Sequence, residues 1–334
     1  MRLPLVRRGL RFGNSSSRRI NRLMTMGRVD LSVLLLAFAL GLVAACSQQP
    51  PGLSETGAGR AWRPADSSPF PPEVWRPTLV ADGSRAVGEW MDPESGIRLV
   101  QCRRVEELWS PPQFLPFEKL KQVRHPCLHP LGRFLVCSAL GATDQDDADR
   151  DLYLLAPAAG GWAAPLSLGP RLNSDAAESH PTLDASGGLY FASNRSGGAG
   201  GWDLYAARMV RGAWGQAEAL AAPIASPWQE RDPWVSTDGR LLLFASDRPG
   251  GRGDLDLYLS WLGPWGWSQP LPLGPSWNSP GADRSPRLGP EGRWLWWMRD
   301  GRPQRRETAE LPFSLDPALR PQQLPRNRPA FSDM

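Results

Sequence analysis

Three acidic residues in a common phase are the first candidates for chemistry in this sequence. Glu178, Glu230 and Asp283 each stand three residues before a proline, at spacings of 52 and 53 residues. Carboxylates gathered at one place can act as acid and base, hold a cation, or receive a basic group of a partner. Their regular recurrence speaks for binding over catalysis, because a catalytic acid is singular. An arginine follows two of them, Arg195 in "SNR" and Arg248 in "SDR", so a structural ion pair is the competing reading.

A second acidic group lies in "DQDDADRD", residues 144–151, where Asp144, Asp146 and Asp149 share one loop. Hard cations take several carboxylate oxygens, so calcium is a candidate. The loop lacks the Gly and the bidentate Glu of an EF-hand, and a solvated acidic loop fits equally. No other cofactor is implied. The glycine-rich "SNRSGGAGGWD", residues 193–203, has no Gly-Lys-Ser/Thr and leads into an Asp-led strand. A carboxylate there would repel phosphate, so the loop reads as a hairpin connection.

Nucleophilic chemistry finds no support. No Gly-x-Ser-x-Gly elbow or Cys-x-x-Cys motif occurs, and His125 and His180 share one place before a proline, as structural residues would. Cys127 and Cys137 flank the turn "LHPLGRF"; a cross-hairpin disulfide and two buried thiols both fit. The chain is therefore expected not to be an enzyme.

The elements that must position these residues form a repeat. Trp109, Trp162, Trp214 and Trp267 are spaced by 53, 52 and 53 residues; Asp151, Asp203 and Asp256 by 52 and 53. Pro77, Pro126, Pro181, Pro233 and Pro286 keep the same beat, at 49, 55, 52 and 53. Each unit of about 50 residues reads as four short antiparallel strands, the size of a propeller blade. The expected fold is an all-β propeller of five four-stranded blades, with six as the alternative. The last blade takes its third strand from 309–315, and residues 60–77 close the ring. The periodic tryptophans are core residues. Trp228, Trp261, Trp265 and Trp277 fall off the main beat and are candidate loop contacts for a partner.

"SHPTLDASGGLYFASNRSGGAGGWDLYAA" and "RDPWVSTDGRLLLFASDRPGGRGDLDLYLS" resemble the WD-like propeller repeats of the TolB type. The resemblance covers about residues 77–312. It implies a bacterial envelope protein that presents its loops to other proteins, although the N-terminal α/β domain of that family has no counterpart here.

The front of the chain is an address. Residues 1–45 carry eight Arg and one Asp, and "LSVLLLAFALGLVAAC" ends in small residues and Cys46. This is the form of a signal peptide closing in a lipobox, with Cys46 the lipidated residue, and translation starting at Met24 or Met26 would give it ordinary length. Residues 46–60 then form a tether, 61–315 the propeller and 316–334 a disordered Pro/Arg-rich tail. Beyond residue 45 the chain holds 30 basic and 33 acidic residues, which excludes the footprint of a nucleic-acid binder. The expectation is a lipoprotein on the periplasmic face of the outer membrane, acting as a non-catalytic module for envelope proteins. A glycan-binding or glycoside-hydrolase-like propeller using channel carboxylates is the alternative.

Overall fold

A computed structural model describes residues 74–92, 96–106, 108–115, 117, 120–141, 150–159, 161–289 and 292–311. Cys46, the tether, the 60–73 segment, the tail and Asp144, Asp146 and Asp149 lie outside the described residues.

The described chain forms five antiparallel blade sheets in sequence order, one per repeat, with two small two-stranded sheets beside blades 2 and 3, and is a five-bladed β-propeller. Blade 3 shows the plan: Glu178–Leu183, Leu189–Ser193, Asp203–Ala207 and Glu218–Ala219 pair in that order from the axis outward. The other inner strands are Val74–Leu79, Lys121–Leu128, Glu230–Val235 and Asp283–Leu288. The periodic tryptophans close two-residue return strands, such as Gly161–Trp162, and the outermost strand follows a few residues later, at Leu166–Ser167 in blade 2.

Second strands are apolar on both faces because each is packed between two blades, and alternate residues serve opposite neighbours. In blade 2, Leu135, Cys137 and Ala139 join the core shared with blade 1, while Val136 joins that shared with blade 3. The same alternation excludes the disulfide between Cys127 and Cys137. Cys127 pairs with Val136, not Cys137, and a one-residue offset places the two thiols in different cores. Both are free and buried, and burial raises both thiol pKa values. Alkylation of native protein should therefore leave both thiols unmodified. Denaturation without reductant should expose both, as read by intact mass; labelling that needs reductant would contradict the assignment.

Blade 5 departs from the expected strand assignment. Its third strand is Arg302–Glu307, and Thr308–Glu310 is a short 3-10 turn. The reason is Asp300-Gly301, both at positive φ (47° and 75°), which makes a two-residue hairpin between Arg299 and Arg302. Asp-Gly is the sequence signal for that turn. The polar strand after it, "RPQRRE", has none of the alternation that marks a half-buried strand.

Candidate functional site

Each inner strand is interrupted at its proline. Proline has no N–H for the ladder, and the register shifts across the dipeptide in all five blades. The residue before it is left-handed every time: Arg76 (φ 48°), His125 (53°), His180 (52°), Asp232 (53°) and Ser285 (56°). Non-glycine residues seldom adopt this conformation, and it re-aims the side chain. The five side chains meet at the axis.

Arg76 donates from Nη2 to Ser285 Oγ at 2.8 Å and from Nη1 to His180 Nε2 at 3.2 Å, joining blade 1 to blades 5 and 3. His180 Nδ1 lies 3.1 Å from Asp232 Oδ1, and Ser285 Oγ donates to Asp232 Oδ2 at 2.8 Å. Arg284 grips Asp232 with Nε at 2.8 Å and Nη2 at 3.2 Å. His125 stacks on His180 with ring centroids 3.6 Å apart, and its Nδ1 meets Ser138 Oγ at 2.8 Å. Its backbone N–H donates to Glu89 at 2.7 Å; Arg76 and Arg124 stand 3.9 and 3.7 Å from the same carboxylate.

These contacts assign the protons. A guanidinium only donates, so His180 Nε2 must offer its lone pair to Arg76, which leaves the proton on Nδ1 facing Asp232. His180 is neutral on that geometry. Burial, joined by the charge of Arg76, holds its pKa well below the ordinary histidine value; burial and His180 do the same to His125. Burial would raise the Asp232 pKa, but Arg284, Arg76 and Arg231 outweigh it and hold the carboxyl well below the usual range.

The cluster contains Ser, His and Asp, yet not in the order of a nucleophilic triad. The carboxylate sits between serine and histidine, so no base takes the Ser285 proton. Asp232, held ionised by arginine, is too weak a base to replace it.

The acids singled out by spacing are placed elsewhere. Glu178, Glu230 and Asp283 are fully buried at the start of their inner strands, each turned into its own blade. Arg195 donates to Glu178 at 2.8 Å, Arg248 to Glu230 at 2.8 Å and Arg299 to Asp283 at 2.7 Å. Each arginine also ties a backbone carbonyl in the preceding loop, those of Leu172, Ile224 and Trp277. These are ion pairs that fix the blade, not an open ring of carboxylates. Burial lifts the Glu230 carboxyl to about 7, as a general acid would require, against the pull of Ser226 and Arg248. With no exposed surface it cannot reach a substrate.

The glycine-rich loop of blade 3 wraps a carboxylate where a phosphate loop would wrap an anion. Asp203 accepts from the Ala199 and Gly200 N–H groups. A Cβ on Gly198 would lie 1.9 Å from Asp203 Oδ2, so only glycine permits the approach. Asp256 repeats the arrangement with Arg252 and Gly253.

The off-beat tryptophans divide. Trp265 is 99% exposed and Trp228 45%, both available as contacts, while Trp261 and Trp277 are buried between blades 4 and 5. That corrects the expectation for the buried pair, whose surface goes to the core. Among the described residues, no group of three or more His, Cys, Asp or Glu could hold a metal ion, and no helix is long and apolar enough to cross a membrane.

Fold and axis together define a five-bladed propeller with a polar, arginine-rich centre. Similar solved structures include a protein designated TolB from Agrobacterium tumefaciens, at 15% identity and TM-score 0.48, covering 70% of this chain and 76% of that one. TolB from Acinetobacter baumannii matches at 13% identity and TM-score 0.45 over 70% of this chain, which spans about half (53%) of its length. An alpha-L-arabinofuranosidase from Lactobacillus brevis matches at 14% identity and TM-score 0.46, covering 68% of this chain and 85% of that one. No family model and no curated protein sequence matches the chain.

Proposed function

We propose that the chain is an exported, lipid-anchored propeller that binds an envelope protein and catalyses no reaction. The supporting observation is that every carboxylate of the axis and of the inner-strand starts is engaged by arginine: Glu89, Glu178, Glu230, Asp232 and Asp283. Glycoside hydrolysis needs one carboxyl that is both protonated and accessible beside one that is ionised. Asp232 is ionised, but the carboxyl with a raised pKa, Glu230, is sealed. Binding then falls to the exposed loops, with Trp265 and Trp228 as aromatic anchors. Cys46 carries the anchor on this reading, and the periplasmic face of the outer membrane is the site.

Palmitate labelling in cells that Cys46→Ala abolishes supports the anchor. A photo-crosslinker at position 265 should trap one defined envelope protein, and Trp228→Ala should reduce that product several-fold. Hydrolysis of arabinan or another glycan by the purified chain, lost in Asp232→Asn, would overturn the reading.

A further inference from the structure

The residues just after the five inner-strand prolines are Thr78, Cys127, Thr182, Trp234 and Arg287. In two blades the hydroxyl at this place ties one blade to the next. Thr78 Oγ1 accepts the Leu128 N–H at 3.1 Å, and Thr182 Oγ1 accepts the Val235 N–H at 3.2 Å. Arg287 breaks the series, because a guanidinium has five donors and no acceptor.

Arg287 is only 7% exposed, and its guanidinium has no hydrogen-bond or ion-pair partner among the described residues. The other arginine buried to this degree, Arg150, is satisfied: it donates to the Gln122 carbonyl at 2.8 Å and to Gln122 Oε1 at 3.1 Å. The carboxylates nearest in charge to Arg287, Glu89 and Asp232, are held by Arg76, Arg124 and Arg284. A buried cation without a counter-charge is costly, and burial draws its pKa down. A guanidinium nevertheless remains charged at neutral pH.

What Arg287 faces is space. An axial cavity of about 370 Å³, on the far side of the proline row from the histidines, is lined by the inner strands of all five blades and has Arg287 in its wall. The rest of the lining is mostly apolar, with Leu79, Leu128, Trp234 and Trp296 prominent. The one acid in the wall, Asp238, is engaged by Ser236 Oγ at 2.5 Å and the Arg240 N–H at 3.1 Å.

We infer that this cavity binds a small organic acid, its carboxylate on the Arg287 fork and its apolar body against the leucines and tryptophans. An inorganic anion would meet the charge and leave the apolar wall bare. The carboxyl terminus of a polypeptide presents the same chemistry and is the second source. The inference is independent of the proposed envelope partner, which uses the exposed loops.

The test compares the full chain with Arg287→Thr, which restores the residue of blades 1 and 3. The probes are sodium hexanoate, benzoate, hexanamide, inorganic phosphate, and a short apolar peptide with a free or amidated carboxyl terminus. Calorimetry and thermal unfolding are the readouts. Hexanoate should raise the unfolding temperature by several degrees at saturation, and hexanamide should bind at least about tenfold more weakly. Arg287→Thr should lose acid binding by about tenfold or more. Without ligand it should unfold no earlier than the natural chain, since it removes an unpaired buried charge. Tight binding of the free-terminus peptide but not its amide assigns the polypeptide source; binding of hexanoate alone assigns the free acid. Two results would overturn the inference: acids binding no better than amides while Arg287→Thr unfolds early, or phosphate binding where hexanoate does not.

Discussion

Asp232→Asn should cost the fold about 3–5 kcal/mol, because it leaves buried cations without their counter-charge. Asp232 is 1% exposed and accepts from Arg284, Ser285 and His180, so three blades meet on one carboxylate. The amide keeps the shape but loses the charge and turns two donors toward groups that themselves donate. For a domain of this size the loss corresponds to a fall of about 6–20 °C in unfolding temperature. Ser285→Ala serves as the control. It removes a neutral donor to the same carboxylate and the acceptor of Arg76 Nη2, leaves every charge in place, and should cost about 1–3 kcal/mol. Equal effects from both substitutions would show that Asp232 contributes only hydrogen bonds and that Arg284 finds another partner.

Acidification should weaken the fold well before most carboxylates titrate. His125 and His180 are held neutral by burial and by the charges around them, so their folded pKa values lie far below the ordinary 6.5. The unfolded chain takes up protons at both as pH falls through about 6.5, while the folded chain does not. Stability is thus fully present above that pH and declines below it. Between pH 7 and pH 5 each histidine accounts for about 2 kcal/mol, or about 4 kcal/mol for the pair. His129, lowered to about 4 by burial and by Arg133, adds a third contribution of the same sign. Glu230, raised to about 7 by burial, works in the opposite sense: the folded chain takes up its proton before the unfolded chain does, which returns about 2 kcal/mol over the same interval and offsets His129. Urea midpoints at pH 7, 6 and 5 measure the slope, and a His125→Gln, His180→Gln chain should lose nearly all of it. An unchanged slope in that variant would mean that the axial histidines charge within the fold.

The architecture was legible because its landmarks repeat in type as well as in place. Tryptophan and the Asp-Leu-Tyr triplet recur at 52 or 53 residues and proline at 49 to 55, and each marks a strand that exists. The ion pairs of Glu178 and Glu230 were equally legible from "SNR" and "SDR". Blade 5 lacks that triplet, so Arg299, the partner of Asp283, left no signal. The axis was hidden for the same reason. Arg76, His125, His180, Asp232 and Ser285 share one position but hardly a side chain, and only the paired histidines drew notice.

Trp277 teaches the converse. It follows Leu172 and Ile224 at the same interval, all three at most 1% exposed, so it was on the beat in a place where other blades use an aliphatic residue. It packs against Trp297 with ring centroids 5.4 Å apart. Trp261 was hidden by length instead. The third strand of blade 4 runs to Gly263, eight residues against five in blade 3, and the added turnless stretch carries Trp261 into the interface.

The left-handed residue before each proline also limits what evolution can write at the centre of the molecule. Branching at Cβ is strongly disfavoured in that conformation, so valine, isoleucine and threonine are barred from the five axial places. Asparagine, aspartate and histidine tolerate it best, and the backbone itself thereby keeps the axis polar. The kink recurs before every inner-strand proline whatever residue stands there, so an axial residue can be exchanged provided that its partners across the axis change with it. Related chains should therefore differ most in these five characters and least in the frame around them.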